Sequence, residues 1–388
     1  MSGTNDNYSY WERSAFVDAA DIIVIGSGLV GLSAALHLKT REPNLRVTVL
    51  DSGFLPSGAS TKNAGFACFG TISEQLAYIN KASEDEMLRL VEYKYRGLQN
   101  LRNLLGDDAI RYEQHGGYEL FSRCETHNAQ QAIEAIPRLN KLISSVTGDT
   151  DIYAVADEKI TGFGFRGVKY IIRNKYEGQI NTGLMMRALL AKAQQSGVLI
   201  LNNCQVQNIE DTGAGLNVVT NNGIFKAPKV IVANNAFAKG LYPELDVVPG
   251  RGQVIVTKPI PGLKVKGTFH FDEGYYYFRN VDDRVLFGGG RNLDIKTEET
   301  TEFGHTSVVQ QQLENYLKEM ILPDQPFEID MRWSGIMGFG SEILPIIKEL
   351  QPNIFCAVRC NGMGIAMGSL VGKEAAELVI GRQEMPDS

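Results

Sequence analysis

Gly26, Gly28 and Gly31 stand in Gly-x-Gly-x-x-Gly spacing directly after four β-branched residues, Ile22-Ile23-Val24-Ile25. Small and apolar residues without proline follow, so the stretch reads as buried strand, tight turn and helix. The chemistry such a turn offers is diphosphate binding. Gly26 permits the turn, Gly28, next to Ser27, lets the backbone approach a pyrophosphate, and Gly31 lets the helix lie close on its strand. The helix N-terminus adds free N–H groups and a positive dipole end. A second β-rich run, Val47-Thr48-Val49-Leu50, ends in Asp51, 20 positions after Gly31, with Ser52 next. An acid there accepts hydrogen bonds from both ribose hydroxyls and repels a 2′-phosphate, so the expected ligand is FAD or NAD.

The elements that must position this turn follow along the chain. Residues 1–20 precede the first strand, and Tyr8, Tyr10 and Trp11 are expected to pack on the surface. Residues 52–70 are dense in Gly, Ala, Ser and Thr, and so soon after Asp51 they suit backbone laid against a flat ring system. Apolar residues at Met87, Leu90, Val91, Leu98, Leu101 and Leu105 mark a one-sided helix over 83–105, and a second is expected over 125–142. A strand starts at 116–121, and 152–173 reads as mixed and β-rich. Residues 182–195 form a helix stopped by Gly197, with a strand at 198–201. Val218-Val219 and 230–233 read as strands returning to the nucleotide-binding sheet, separated by the hairpin turn Asn221-Asn222-Gly223. Residues 249–253 then lead into alternating strands at 254–257, 268–271, 275–278 and 285–288, which suit an antiparallel sheet. Finally 354–358 is a strand, Asn361-Gly362-Met363-Gly364 a second glycine turn, and 365–380 a helix.

This pattern is an α/β fold: a Rossmann-like domain of the glutathione-reductase type, with a second α+β domain built on an antiparallel sheet. The expected division gives the dinucleotide domain residues 20–75, 178–250 and 340–388, and the substrate domain 76–177 and 251–339. The 388 residues are 44% hydrophobic with a net charge of −7, and the Lys and Arg are scattered, so nothing points to nucleic acid or an anionic membrane. The five cysteines lack zinc-type spacing and no metal is expected; a reduced, cytoplasmic compartment is the plain reading, with no signal peptide or membrane-spanning run. Oligomeric state is not legible.

With these motifs on the page, the chain resembles the D-amino acid oxidase superfamily of FAD-dependent oxidoreductases, in its glycine oxidase and sarcosine oxidase branch. The resemblance rests on 26–31 with Asp51, on 58–66, on 177–181 before a helix, on 249–253, on the hairpin 275–291, on 332–338 followed by Leu344-Pro345, and on 361–368. It implies FAD, with Gly26, Ser27, Gly28 and Gly31 at the pyrophosphate and Asp51 and Ser52 at the ribose. Ser60, Thr61, Lys62, Asn63 and Ala64 would wrap the flavin side. Val206, ending a strand at 203–205, would read the adenine edge. Gly362, Met363, Gly364 and Ile365 would lie under the isoalloxazine, where the helix dipole stabilises negative charge on the reduced ring. Ala233, Asn234, Gly335, Arg359 and Asn361 complete the implied cofactor set. Arg332 aligns with an arginine that pairs a substrate carboxylate and Tyr276 with a tyrosine beside it; Arg291 and Arg359 are rivals, and Lys62 is a candidate for oxygen activation. His270 reads as structural.

Two departures from the family pattern matter. No cysteine stands in Met337-Gly338-Phe339, where one sarcosine oxidase group attaches flavin, so FAD is expected to be noncovalent. The segment 332–340 also lacks the Pro-Gly-Thr-x-Asp form of glycine oxidase, which implies a different pocket. The implied reaction oxidises the C–N bond of an amino acid or amine by hydride transfer to flavin N5, giving an imine that water hydrolyses, with oxygen or another acceptor taking the electrons. A 2-hydroxy acid or glycerol-phosphate-type dehydrogenase, an NAD-dependent dehydrogenase and a non-catalytic flavin-binding protein stay open as alternatives.

Overall fold

The computed structural model describes residues 7–18 and 20–381. A six-stranded sheet runs in the order Ile346–Gln351, Ile354–Val358, Lys229–Val232, Ile22–Ile25, Val47–Leu50, Leu199–Leu201. All neighbours are parallel except the outermost pair, 346–351 with 354–358. Its three central strands are buried almost throughout because both faces are covered, which is why they read as unbroken apolar runs. One face carries the helices Leu29–Arg41, Glu84–Leu105, Thr182–Gln195 and Gly364–Ile380. The other carries a three-stranded sheet, Val206–Asp211, Leu216–Thr220 and Gly223–Ala227.

The second large sheet has eight strands in the order Ile329–Phe339, Val248–Thr257, Arg284–Gly289, Tyr276–Val281, Thr268–Phe271, Gly117–Ser122, Val168–Asn174, Tyr153–Val155. It is antiparallel except where 268–271 meets 117–122, and the strands expected to pair antiparallel do so. Some other expectations shift. Val218-Val219 lies in the three-stranded sheet and not in the parallel one, and 223–227 is a strand the sequence reading missed. Asn203 turns the chain through φ +54, so no strand forms at 203–205 and Val206 begins one instead of ending it. The second long helix runs on to Thr147 with Pro137 inside it. Residues 152–173 hold a short helix, Lys159–Phe163, between their strands. Tyr8 donates its hydroxyl to the Asn222 carbonyl, whereas Tyr10 and Trp11 are 74% and 75% exposed and meet each other edge to face. Among the described residues no helix is long and apolar enough to cross a membrane.

Strand register divides the eight-stranded sheet into two faces, since residues directly opposite share a side and neighbours along a strand alternate. One face carries Trp333, Gly335, Met337 and Phe339, then Gly250, Gly252 and Val254, Gly288, Tyr277 and Arg279, His270, and Glu119. The other carries Arg332, Arg251, Gln253, Phe287, Tyr276, Phe278 and Phe269, and is closed by the helix Ser307–Tyr316. The first face meets the 58–66 loop: Ala64 and Phe66 pack with Val254, Leu286, Tyr277 and Trp333.

The helices 29–41 and 364–380 meet backbone to backbone. A Cβ on Gly372 would overlap the Val30 carbonyl and stand 2.7 Å from the Ala34 nitrogen, and one on Gly368 would stand 2.9 Å from Leu29 Cδ2. Gly372→Ala should therefore cost about 1–3 kcal/mol by overpacking, read as a lower urea midpoint, whereas Gly240→Ala, with open space around it, should leave the midpoint unchanged.

Glu119 is buried, and that burial pushes its carboxyl up to about 7 against the opposing hydrogen bond from Ser73. A group held above its ordinary value binds its proton more tightly in the folded state. Its contribution is complete below about 4.5 and is lost as pH rises through 7. Glu119→Gln should lessen the fall in unfolding free energy between those pH values by on the order of 3 kcal/mol, measured by urea titration at several pH values.

Candidate active site

The first glycine turn is built by close approach. Gly26 sits at φ +104, where a Cβ would stand 3.0 Å from the Ala233 carbonyl oxygen, and a Cβ on Gly31 would overlap the Gly26 carbonyl. Gly28 caps the helix 29–41 in extended backbone, and only Ser60 Oγ borders the space in front of it. Asp51 braces the turn: its Oδ2 accepts from the Ser27 N–H and hydroxyl at 2.8 and 2.7 Å, and its Oδ1 accepts from the Gly53 N–H at 2.8 Å. Ser52 is exposed beside it. The Asp51 carbonyl accepts from the Cys204 N–H, which brings Val206 to the same end of the sheet.

In the loop, a one-turn helix, Ala59–Lys62, is stitched together by its own polar side chains. Ser60 Oγ accepts from the Leu29 N–H at 2.8 Å and Thr61 Oγ1 donates to the Pro56 carbonyl. Asn63 donates to the Ala59 and Ser60 carbonyls and accepts from the Gly65 N–H and the Thr182 hydroxyl. Ala64 is held from the sheet side by Arg279, whose buried guanidinium donates to the Ala64 and Ile180 carbonyls and is pulled down to about 10 by loss of solvent. These polar groups shape the loop, so what it offers a ligand is chiefly backbone.

The second glycine turn bends through left-handed residues at Arg359, Asn361 and Gly362. Asn361 ties it down, donating to the Glu342 and Ile343 carbonyls and accepting from the Gly340 N–H. The Arg359 side chain is engaged with Asp246 and the Leu344 carbonyl, which removes it as a substrate rival. Met363 opens the helix Gly364–Ile380 with no side-chain cap, just as the helix 29–41 opens without one of its own. Both follow parallel strands of one sheet, so both N-termini lie at its carboxyl edge. Beside Gly26, the buried Asn234 Oδ1 has no hydrogen-bond partner among the described residues. Two helix N-termini without N-cap side chains of their own, the first with its Leu29 N–H held by Ser60, together with a glycine cradle and the buried Asn234 acceptor, fit a dinucleotide lying from one turn to the other.

Two substrate-side expectations are corrected. Tyr276 is 2% exposed, stacked on Phe271 and edge-on to Tyr316 in the core of the opposite sheet face. Arg332 lies on that same face and binds Glu314 and Gln310 of the covering helix. Their neighbours face the loop instead. Trp333 Nε1 donates to the Lys62 carbonyl at 3.0 Å, and Gly335 backs onto Lys62. Met337 lies against Gly252 and Gly362, and Tyr277 against Gly252 and Gly288. Phe66 meets Tyr277 and His270 edge to face. Burial lowers the His270 imidazole, and its Nε2 has no partner. Arg291 stacks 4.2 Å from the Phe339 ring centroid, and Lys62 Nζ lies 5.1 Å from that of Phe303; among the described residues neither pairs with a carboxylate. Tyr277, Trp333 and Met337 were missed; the glycines opposite Tyr277 and Met337, Gly288 and Gly250, were the available signal, but only strand register gives it meaning.

A family model described as FAD dependent oxidoreductase matches residues 21–378. Gamma-glutamylputrescine oxidoreductase of Escherichia coli K12 is 26% identical over 95% of this chain and 85% of its own length. The probable oxidoreductase OrdL of Haemophilus influenzae is 23% identical over 95% and 84%. Among solved structures, glycine oxidase from Geobacillus kaustophilus superposes with a TM-score of 0.73 at 22% identity, covering 95% of this chain and 96% of that one. L-proline dehydrogenase from P. horikoshii superposes at 0.74 with 20% identity, covering 95% and 96%. The match spans both glycine turns and the sheet between them, and the chain belongs to the DAO family of FAD-dependent oxidoreductases.

Proposed function

We propose that this enzyme oxidises the C–N bond of an amino acid or amine held between the 58–66 loop and the Tyr277, Trp333 and Met337 face of the large sheet. The observation that carries the reading is the position of Arg291. It is a guanidinium without a carboxylate partner among the described residues, stacked on Phe339 of that same face. A planar guanidinium held by a ring suits a substrate carboxylate. The relatives named for amine and amino acid substrates support the chemistry. Bound FAD supplies the two-electron acceptor, and the resulting imine is hydrolysed by water.

The chain's own residues do the positioning. Trp333 and Gly335 fix the Lys62 backbone, Arg279 fixes Ala64, and Tyr277, Phe66 and Met337 wall the space against water. We assign the pyrophosphate to Gly26, Ser27, Gly28 and Gly31, the ribose to Asp51, and the flavin pyrimidine edge to Gly362, Met363, Gly364 and Ile365. In this reading the two-domain division follows the two large sheets, and FAD is noncovalent because Met337 to Phe339 offers no thiol.

An anaerobic screen of amino acids and amines should bleach the flavin with at least one of them; bleaching by 2-hydroxy acids alone would overturn the C–N assignment. With that substrate, Arg291→Met should raise KM by about tenfold or more, the loss of one charged hydrogen-bonded contact, while Arg332→Met leaves KM within about twofold. The reverse result returns the carboxylate to Arg332. Acid precipitation should leave the yellow colour in the supernatant.

A further inference from the structure

The far end of the loop-facing sheet surface holds a group of side chains that the proposed reaction does not use. Cys68 comes from the strand-loop after Phe66, Glu177 from the turn before the helix 182–195, and His270 from the strand 268–271. One ligand-type atom from each, thiol sulfur, carboxylate oxygen and imidazole nitrogen, lies within 4.8 Å of the other two. Cys68 is 4% and Glu177 1% exposed, and His270 Nε2 is closed off from solvent with no hydrogen-bond partner among the described residues.

We propose that Cys68, Glu177 and His270 form a binding site for a divalent cation of the zinc class. Sulfur, nitrogen and oxygen donors are the set that a borderline-soft ion takes. Around such an ion, donors at about 2.0–2.3 Å stand about 3.5 Å apart, so side-chain rotation of roughly 1 Å closes the trio. Glu177 is already oriented for this role, with Oε1 accepting from the Gly70 N–H at 3.3 Å and Asn174 Nδ2 at 3.4 Å. Such outer hydrogen bonds aim a ligating carboxylate. A small recess lined by Glu177, Thr71, Glu119, Tyr153 and Asn174 among apolar neighbours borders the trio on its carboxylate side.

Glu74 and Glu119 lie near Glu177, as does Lys94, which donates to the Phe69 carbonyl. Coordination forms metal–sulfur, metal–nitrogen and metal–oxygen bonds and releases to solvent the thiol proton together with the proton that burial holds on the Glu177 carboxyl. No oxidant is needed. Its consequence is mechanical: the ion would add a tie between the arm that continues from the flavin loop and the large sheet, beside the Arg279 bonds to Ala64 and Ile180 and the short pair Phe66–Ala67 with Gly178–Gln179.

The test uses FAD-loaded, chelator-treated protein carrying Cys124→Ser, which removes the exposed thiol. Zn²⁺ alone should bind with one-to-one stoichiometry by calorimetry and raise the thermal midpoint, and X-ray absorption of the zinc-loaded protein should show one sulfur with nitrogen and oxygen neighbours. Cys68→Ala, Glu177→Gln and His270→Gln should each weaken binding by about tenfold or more. The absorption measurement needs no variant at the site, so it decides even where those variants fail to fold. No saturable binding, a sulfur-free zinc shell, or equal affinity in folded site variants would overturn the proposal. Because calorimetry and absorption read the ion and not turnover, this result stands apart from whether the substrate is an amine.

Discussion

The backbone contact between the helices 29–41 and 364–380 is the constraint on which the rest of the structure depends. Gly368 and Gly372 let the last helix press on Leu29, Val30 and Ala34, so two helix N-termini that are far apart in sequence open at one sheet edge. Side chains at those positions would force the axes apart, and a dinucleotide spanning both ends would lose one of them. Gly97 extends the same logic, because a Cβ there would overlap the Ala366 carbonyl, and Ser369 Oγ bonds the Gly97 carbonyl at 2.7 Å. The helical layer is thus pinned around a single close-packed axis, and the cofactor end of the enzyme inherits its rigidity.

Much of this was legible in the sequence because it is local. The run 22–25, the strand 354–358 and the helix 182–195 lie where their composition places them, and the glycine turns follow from spacing alone. Asp51 was legible as an acid ending the second strand, placed for a ribose, though sequence could not show that Ser27 and Gly53 already occupy much of its hydrogen-bonding capacity. The loop was read as cofactor-wrapping from its small residues. What could not be read was that Thr61 and Asn63 turn their polar atoms inward, toward Pro56, Ala59 and Ser60.

The substrate side was illegible for a different reason. In a sheet, each side chain's face is set by register, and a slip of one residue moves it to the other side. Tyr275, Tyr276 and Tyr277 are chemically alike, so alternation gives no reading of which ones meet the flavin loop. The same parity separates Arg332 from Trp333. Only the pairing of 276–281 with 284–289, and of 248–257 with 329–339, sends Tyr277 and Trp333 toward Lys62 and leaves Tyr276 and Arg332 under the covering helix.

That division has a consequence for how such an enzyme changes substrate. The cofactor end is made of backbone, glycine contacts and side chains already committed to the chain, so most replacements there disturb folding as well as binding. The loop-facing sheet positions are the opposite case: Met337 and Tyr277 lie against glycines, and Arg291 is anchored by stacking alone among its described contacts. Replacing Met337 alters the shape and polarity of the chamber without removing a hydrogen bond that holds either glycine turn. A change on the sheet therefore leaves both glycine turns intact, which is the physical reason a shared fold does not by itself set the substrate.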